Sequence, residues 1–541
     1  MRSNSAANLG FTEVTKQMGR ALQLAIEFIG RHPLTVLILP SIWFFILYLP
    51  FWKSTDVVCE LGSKFDSENI LLVPPVYCVL GRIPFWLTDA LLLGSAPSIF
   101  SYQHPSLPAV YALIVCQHVG LWFALRYFVV AVPASDAGRG VITILLASIA
   151  SFYSFAHCAG AEATTAITWF TLFGVGLRIL GDRATWKTWL LYFLVLLLCI
   201  GSRHVSGLIL GWMPVTAFVL FIFHLLRRKR SSATMRLPKL AGIALILSTL
   251  VLGIENIIVM AMCEHFGVIG RQMVGRTLCE RIGSFLDSIS PAEREQVKRE
   301  ASRSDDEADL KLAIDSIIRV GTYYQGTNEV IAQFFSRRGL QGEKLQANVD
   351  RTTLKAALRF YQTYDPRLIT IILMDIGKGF YPTNDQGIAL TGPKATFYSV
   401  VDIEKHPDAW TGLRSLLLFA PAVAHGTLER AFHDNMIRHW RFIPIGVWSL
   451  LFATIGAWRM TRGKLSVDLA IVATCIFGIG FSVYVATCVC NISQPRYVLP
   501  LWVATVASGC VLIAGGPSAL GELLEHKTSM VSGGNKPLSD A

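Results

Sequence analysis

Seven polar residues at the edges of apolar segments have types and positions that could support chemistry. Carboxylates exchange protons, and guanidinium groups bind anions through a planar pair of donors. The chain contains no phosphate-binding glycine loop, no HExxH and no GxSxG. Polar residues at the ends of apolar segments are therefore the remaining candidates. These are Asp56, Glu162, Arg203, His204, Glu255, Arg496 and Tyr497.

Each candidate also has a purely structural interpretation. Asp56 fits a solvated loop acid, and Glu162 fits a carboxylate that stabilises a helix N-terminus. Glu255 fits a residue paired with a polar neighbour. The two arginines fit anchors at the membrane interface, and the histidine fits a surface or structural role.

The composition restricts the class of protein in which these residues act. Of the 541 residues, 53% are hydrophobic and 16% are charged, and the mean hydropathy is +0.49. Soluble domains carry about 25% charged residues. These values exclude a purely soluble enzyme, a disordered chain and a fibrous chain. They predict an all-α membrane protein that crosses the bilayer many times.

Ten segments are long and apolar enough to be predicted as transmembrane helices. No stretch alternates with the period of a barrel strand. Lysine and arginine favour cytoplasmic loops, and an inside N-terminus puts 19 of them in inner segments and five in short outer ones. Both termini are then predicted to be cytoplasmic, in the inner membrane if the source is a bacterium. The predicted spans are 34–52, 106–132, 141–157, 161–180, 187–202, 205–226, 238–260, 441–458, 466–490 and 499–514.

This topology places the candidate residues on one face and divides the chain into regions. All seven fall at the outer ends of spans. The net charge of +11 lies in cytoplasmic loops and tails, because 263–440 holds 22 basic and 22 acidic residues. That distribution favours contact with anionic lipids and gives no basic face for nucleic acid. The predicted regions are a cytoplasmic segment 1–33, spans one to seven over 34–262 with an outer loop 53–105, an outer domain 263–440, spans eight to ten over 441–514, and a cytoplasmic tail 515–541.

Several segments outside the spans are predicted to be helical. Residues 11–30 predict an amphipathic helix on the inner surface, and 70–93 predict one or two helices on the outer surface. In 263–440, Ser290-Pro291-Ala292-Glu293 is a helix-start pattern. Further helices are predicted near 328–338, 350–363 and 367–377, followed by a loop over 378–412.

Cysteine and acidic residues add little to the predicted chemistry. A disulfide on the outer face is left open, and Cys488 and Cys490 are interpreted as packing residues. The acidic run Asp305-Asp306-Glu307 is interpreted as a helix start rather than a metal site. The outer-face cysteines are Cys59, Cys78, Cys158, Cys263 and Cys279.

The order of these motifs resembles the GT-C class of membrane glycosyltransferases, which includes protein mannosyltransferases and the lipid A aminoarabinose transferase type. A first span leads to a loop with Asp56 near its start and Pro74-Pro75-Val76-Tyr77 beyond it. Near the end of the chain comes Arg496-Tyr497-Val498-Leu499-Pro500, similar to the start of that family's last helix. The resemblance covers about 34–260 and 441–514. It departs from the family in having a single acid at the start of the loop and no DxD motif.

The resemblance implies an inverting sugar transfer on the outer face from a polyprenyl-phosphate sugar to a lipid, glycan or protein acceptor. It implies that Asp56 or Glu162 acts as the catalytic carboxylate, and that an arginine stabilises the leaving phosphate. The substrate-binding residues would be Arg203, His204, Glu255, Arg496 and Tyr497. No metal and no other cofactor is expected, since the donor itself is a membrane lipid.

Two other classes of function remain open at this stage. A transporter or lipid flippase would have related halves and polar residues at mid-membrane, and neither is evident here. A non-enzymatic scaffold would use 263–440 to bind a partner.

Overall fold

Apolar runs with few charged residues fold into long helices that pack side by side. The computed structural model describes residues 4–47, 51–52, 75–94, 99, 107–181, 184–202, 204–227, 232–271, 273–320, 324–380, 445–490 and 498–517. Within these ranges the regular secondary structure is helical, apart from two short strands that pair with each other, and turns connect the elements.

The described residues up to 265 form eleven α-helices, one 3-10 helix and both strands. In chain order the elements are α1 (Asn4–Arg31), α2 (Leu34–Leu37), α3 (Leu39–Leu47), β1 (Phe51–Trp52), α4 (Pro75–Leu93), α5 (Leu107–Ala131), α6 (Asp136–Ser148), α7 (Ala150–Ala156), β2 (Cys158–Ala159), α8 (Ala161–Leu180), α9 (Trp186–Ser202), a 3-10 helix (His204–Gly211), α10 (Trp212–Leu226) and α11 (Ser232–His265).

The remaining described residues form six helices of an inserted unit and three C-terminal apolar helices. They are α12 (Met273–Asp287), α13 (Pro291–Ala301), α14 (Ala308–Val320), α15 (Tyr324–Arg337), α16 (Gly342–Gln362), α17 (Pro366–Phe380), α18 (Ile445–Thr461), α19 (Val467–Cys490) and α20 (Leu499–Ala514).

The predicted count of ten spans is not confirmed. By length and composition, five helices among the described residues can cross a membrane, or seven if each bent pair is one span. The bends are 89° between α1 and the α2–α3 segment and 59° between α6 and α7. Predicted spans 187–202, 441–458 and 499–514 correspond to helices of 17, 17 and 16 residues. At about 1.5 Å per residue these are shorter than a bilayer core of about 30 Å.

The side chains on the surface confirm a multi-pass membrane protein. Helix α4 buries Arg82 and Asp89 and exposes Leu87, Leu91 and Leu92. This arrangement is the reverse of a helix in a soluble protein, where charged residues face water. In α11 only 17% of the apolar window is buried inside the protein. Apolar surfaces of this size on helices of membrane-spanning length are typical of sides that face lipid.

Helix α1 is confirmed as a helix and packs across α6. Gly30 and Gly140 allow the contact, because a Cβ at either position would overlap the backbone of the other helix. Arg31 adds an ion pair of 2.8 Å from Nε to Asp136 Oδ2. The predicted outer-surface stretch 70–93 forms one helix, α4, with Pro84 inside it. The position of both helices relative to the bilayer stays a prediction.

Helices α12–α17, called here the inserted unit, have a hydrophobic core of their own. The predicted helix start is confirmed, because Ser290 and Glu293 form a capping box at α13. The helices predicted near 328–338, 350–363 and 367–377 are confirmed as α15, α16 and α17. The predicted loop 378–412 lies outside the described residues beyond position 380. Burial raises the pKa of the Cys279 thiol to about 12. Cys78, Cys263 and Cys279 are free thiols.

A buried ion pair lies where the inserted unit packs against membrane helix α19. Arg281 Nη2 of α12 lies 2.7 Å from Asp375 Oδ2 of α17, and Lys378 Nζ lies 2.8 Å from Asp375 Oδ1. Tyr484 of α19 donates its hydroxyl proton to the Asp375 carbonyl at 2.5 Å. Tyr361 makes the same kind of bond to the Val489 carbonyl. The inserted unit is therefore fixed to the last turns of α19.

Ionisation of Asp375 contributes to this docking. Burial acts to raise the pKa of Asp375, but the hydrogen bonds and charges of Lys378 and Arg281 outweigh it and hold the pKa below its ordinary value. A lowered folded-state pKa means that the stabilisation is present above the ordinary Asp range and is lost as the pH falls through the lowered value.

We expect Asp375→Asn to destabilise the docked unit, because it leaves the Arg281 guanidinium buried without a counter-ion. Breaking a buried pair from one side costs about 3–5 kcal/mol. Lys378→Met is the matched control, since the Lys378 side chain is 33% exposed and such pairs contribute about 0–1 kcal/mol. The stability of both variants is measured by heating the protein in detergent and monitoring the rate of proteolysis within 273–380. Equal losses in the two would contradict the buried-pair account.

Candidate functional site

The candidate site is built around a short parallel strand pair at one end of the helix bundle. Phe51 and Trp52 of β1 have Cys158 and Ala159 of β2 as their Cα partners. Strand β1 begins four residues after α3 ends, and β2 directly precedes the Gly160 turn into α8. The pairing therefore joins the start of the predicted first outer loop to the turn between α7 and α8.

Two consecutive residues of α5 hold the turn that leads into β2. Gln117 Nε2 donates to the Ala156 carbonyl at 3.0 Å. His118 Nε2 lies 3.2 Å from His157 Nδ1, so one ring nitrogen donates to the other. Both imidazoles are fully buried, with 0% exposure. Polar bonds thus fix the end of α7 against α5.

Helix α3 belongs to the same hydrogen-bonded network. Ser41 Oγ lies 2.8 Å from His118 Nδ1 and accepts a hydrogen bond of 2.6 Å from Trp122 Nε1. Phe45 packs against both imidazoles, with ring centroids 4.9 Å from His118 and 5.1 Å from His157. The network connects the helix that leads into β1 with the turn that leads into β2.

Glu162 lies in the first turn of α8, three residues after the strand pair. Its side chain is only 4% exposed. A carboxylate in the first turn is stabilised by the helix dipole. The burial distinguishes Glu162 from an ordinary solvated cap, because charged residues are rarely buried without a partner. The Glu162 carboxylate is therefore shielded from bulk water and contacts only the groups that surround it in the protein.

An apolar cavity of about 560 Å³ opens between α4 and the last turns of α11. Its lining is aliphatic and aromatic apart from His265. The volume lies within the roughly 300–1,000 Å³ range of ligand pockets. The lining residues are Val76, Val79, Leu80, Ile258, Ala261, Met262, His265 and Phe266.

Glu255 shares a face of α11 with this cavity. Residues three and four apart lie on the same side of a helix, so Glu255 precedes Ile258 and Met262 along the lining face. Its side chain is half-buried. Glu255 therefore lies one turn beyond the cavity, on the side away from His265.

The cavity adjoins the end of α9. Val76, which lines the cavity, packs so closely on Gly201 that a Cβ there would overlap its side chain. Only glycine allows this approach of α4 to α9. Arg203 is two residues further along the chain from Gly201, so the predicted cationic turn begins at this contact.

The predicted site residues fall into three groups. Asp56, Arg203, Arg496 and Tyr497 lie outside the described residues. His204 is the first residue of the 3-10 helix His204–Gly211. Glu162 and Glu255 are placed in different neighbourhoods, one at the strand pair and the other beside the cavity.

The sequence analysis missed the α5 residues of the network. Gln117 and His118 interrupt an apolar helix in the stretch Val115-Cys116-Gln117-His118-Val119. Polar residues within a span are costly and mark functional or structural contacts, so this signal was present. For metal binding, the part of the chain that the structure describes contains no group of three or more His, Cys, Asp or Glu side chains in a suitable arrangement.

We expect Phe51→Cys to form a disulfide with the native Cys158 under mild oxidation. The two residues are Cα partners, and adjacent strands lie about 4.8 Å apart, within the roughly 4.4–6.8 Å that a disulfide spans. Mass spectrometry of the linked peptides measures the bond, and Phe51→Cys with Cys158→Ala is the control. Absence of the 51–158 linkage in the oxidised single variant would refute the pairing.

Comparison with known proteins gives one distant structural similarity. No protein-family model and no curated protein matches the sequence. Among solved structures, it is similar to the archaeal oligosaccharyltransferase AglB from Archaeoglobus fulgidus, in complex with an inhibitory peptide and a dolichol-phosphate. The TM-score is 0.39 and the identity is 11% over 96% of this chain. The chain spans about half, 53%, of the length of that protein.

Proposed function

We propose that the protein is a membrane glycosyltransferase that moves a sugar from a polyprenyl-phosphate donor to a lipid, glycan or protein acceptor on the outer face of the membrane. The observation that carries the proposal is the pairing of β1 with β2. It brings the start of the first loop beside the Glu162 turn, and both segments carry a candidate carboxylate. The proposal also rests on the resemblance of the motif order to the GT-C class.

Chain geometry supports a meeting of the two carboxylates. Asp56 follows Trp52 by four residues, and Glu162 follows Ala159 by three. Four residues of extended chain span at most about 14 Å, so Asp56 stays within that reach of the strand pair. Trp52 and Ala159 are themselves Cα partners. We infer that Asp56 and Glu162 face one substrate pocket.

In the proposed reaction the carboxylates and the arginines have different roles. The Asp56 carboxylate takes the proton of the acceptor hydroxyl as its oxygen attacks the anomeric carbon. The bond from that carbon to the phosphate oxygen breaks, and the lipid phosphate leaves with the electron pair. Arg496 and Arg203 stabilise the negative charge that develops on this phosphate. Attack opposite the leaving group inverts the anomeric configuration.

The remaining assigned residues complete the donor and acceptor contacts. Tyr497 directly follows Arg496, and His204 directly follows Arg203. We assign these two side chains to the sugar and phosphate of the donor as hydrogen-bonding partners. Glu162 orients the acceptor, and it is the alternative base if Asp56 is not. No metal ion is part of the proposal.

The apolar cavity between α4 and α11 suits the hydrocarbon chain of the donor. Its lining residues make almost no polar surface, and Val76 connects it to the end of α9 before Arg203. A polyprenyl chain in the cavity would thus have its phosphate near the predicted cationic turn. Glu255 would lie beside the chain on α11. The cavity also suits a lipid flippase, which is the alternative function.

We expect Asp56→Asn to reduce sugar transfer by at least about 100-fold, because general-base assistance is typically worth about 10²–10⁴-fold in rate. Glu162→Gln should reduce transfer less, and Glu295→Gln, at an exposed position in α13, is the matched control without effect. The measurement is consumption of purified lipid-phosphate sugars by the protein in liposomes.

The outcomes of this experiment separate the proposals. Near-normal transfer by Asp56→Asn together with loss in Glu162→Gln would make Glu162 the base. Normal transfer by both variants would eliminate the carboxylate mechanism. Transbilayer movement of the lipid by the wild-type protein, with no sugar transferred to any acceptor, would establish the flippase alternative.

We expect Ala261→Trp to fill the cavity and to raise the KM for a long-chain donor by about tenfold, which corresponds to about 1.4 kcal/mol of lost binding. A short-chain donor analogue should keep its KM, because it does not occupy the cavity. Met260→Trp is the control, since Met260 is 41% exposed and points away from the lining face. Equal KM changes for both donors would argue against a chain in this cavity.

A further inference from the structure

We propose that His118 is a positioning residue, whose hydrogen bond to His157 holds the strand pair in the register that the site requires. His118 belongs to α5 and contributes to neither strand. Its only role in the reaction would be through His157, the residue directly before β2. The consequence for sugar transfer rests on the proposed function, whereas the structural consequence does not.

The network fixes both approaches to the strand pair from one helix. On the β2 side, Gln117 and His118 bind the neighbouring residues Ala156 and His157. On the β1 side, His118 binds Ser41 of α3, and the described chain reaches β1 ten residues later. A single imidazole thus contacts both chain segments that must meet.

The strand pair has little stability of its own. It contains only two residues on each side, and even an isolated two-stranded hairpin of ordinary length is marginal in water. Its register must therefore be set by what fixes the adjoining segments. The burial of His118 and His157 gives the network this capacity, because a buried donor or acceptor that loses its partner is costly.

The direction of the hydrogen bonds makes the network specific for histidine. An indole N–H can only donate, so Trp122 donates to Ser41. The two nitrogens of His118 then serve two different partners, Nδ1 with Ser41 and Nε2 with His157. No apolar side chain of similar volume could connect these partners, although it could pack equally well beside Phe45.

Two substitutions of His118 separate hydrogen bonding from packing. The amide of Asn can replace the Nδ1 position, and the longer amide of Gln can replace the Nε2 position. We expect His118→Gln to keep the bond to His157 and His118→Asn to lose it. If His118 served only to fill space, the effect of each variant would follow the side-chain volume that it loses. His118→Asn and His118→Gln would then differ only slightly.

The cross-link between Phe51→Cys and Cys158 measures the strand register directly. In the Phe51→Cys background, we expect His118→Asn to slow disulfide formation by about fivefold or more, the size of effect that one lost buried hydrogen bond gives. His118→Gln should stay within about twofold of the parent. Glu295→Gln, at an exposed position of α13 outside the network, is the control and should form the disulfide at the parent rate.

Sugar transfer is measured separately in proteins that retain Phe51. We expect His118→Asn to lower kcat with little change in donor KM, because the donor cavity is lined by α4 and α11 and not by the network. His118→Gln should restore kcat. A loss of protein yield or a general rise in KM would indicate a folding defect. If His118→Gln also failed to restore kcat, the positioning role would be refuted.

The cross-linking and transfer results distinguish the two proposals. Equal disulfide rates in His118→Asn, His118→Gln and the parent would overturn the inference. Equal slowing in both His118 variants would overturn it as well, by assigning His118 to packing. If the wild-type protein transfers no sugar, the proposed function fails, and the difference between the Asn and Gln cross-linking rates still decides whether His118 positions the strands.

Discussion

The absence of water in the bilayer core determines which parts of this chain can leave helical geometry. Every backbone N–H and C=O within the core must find a partner inside the protein, and a helix supplies one for each residue. The two strands that the structure describes are accordingly found where helices α3 and α7 end. Backbone groups that are free to pair across segments, and side chains able to contact substrate, are concentrated at these helix ends.

Burial away from water, inside or outside the bilayer, likewise explains why the buried polar side chains form connected groups. His118 and His157 satisfy each other and extend to Ser41, while Arg281 and Lys378 share one carboxylate of Asp375. In a low-dielectric interior each of these groups would be costly alone. Each network holds separate parts of the chain together. The first joins α3, α5 and α7, and the second fixes the inserted unit to α19.

Local signals in the sequence predicted local structure well. The capping box at Ser290 needs only residues three apart, and the apolar runs of α5, α8 and α19 need only a window of about 20 residues. The bend after α1 falls at Pro33, between the predicted segments 11–30 and 34–52, but the bend within the predicted span 141–157 was not predictable in this way. The break between α6 and α7 falls at Ile149, an apolar β-branched residue without the glycine or proline that usually marks a kink. Packing against other helices must set it.

The candidate site was less accessible to prediction than the helices. Glu162 was identified because it opens an apolar segment, but its burial depends on the tertiary structure. The pairing of Phe51–Trp52 with Cys158–Ala159 has no sequence signature, since two-residue strands are too short to show alternation. Gln117 and His118 did have a signature as polar residues within a span. Their partners, however, lie 39 residues away along the chain.

The two sides of helix α4 carry different kinds of side chain. Its buried face carries Asp89 and Arg82, and Arg82 donates from Nη1 to the Ile99 carbonyl at 3.1 Å. Its other face presents Leu80 to the apolar cavity. The opposite wall, α11, is the least buried of the candidate spans. A lipid chain can therefore reach the cavity from the side without breaking the core, whereas its charged headgroup must stay at the helix ends, where polar groups are available. This separation of an apolar side entrance from a polar end suits an enzyme whose donor is itself a membrane lipid.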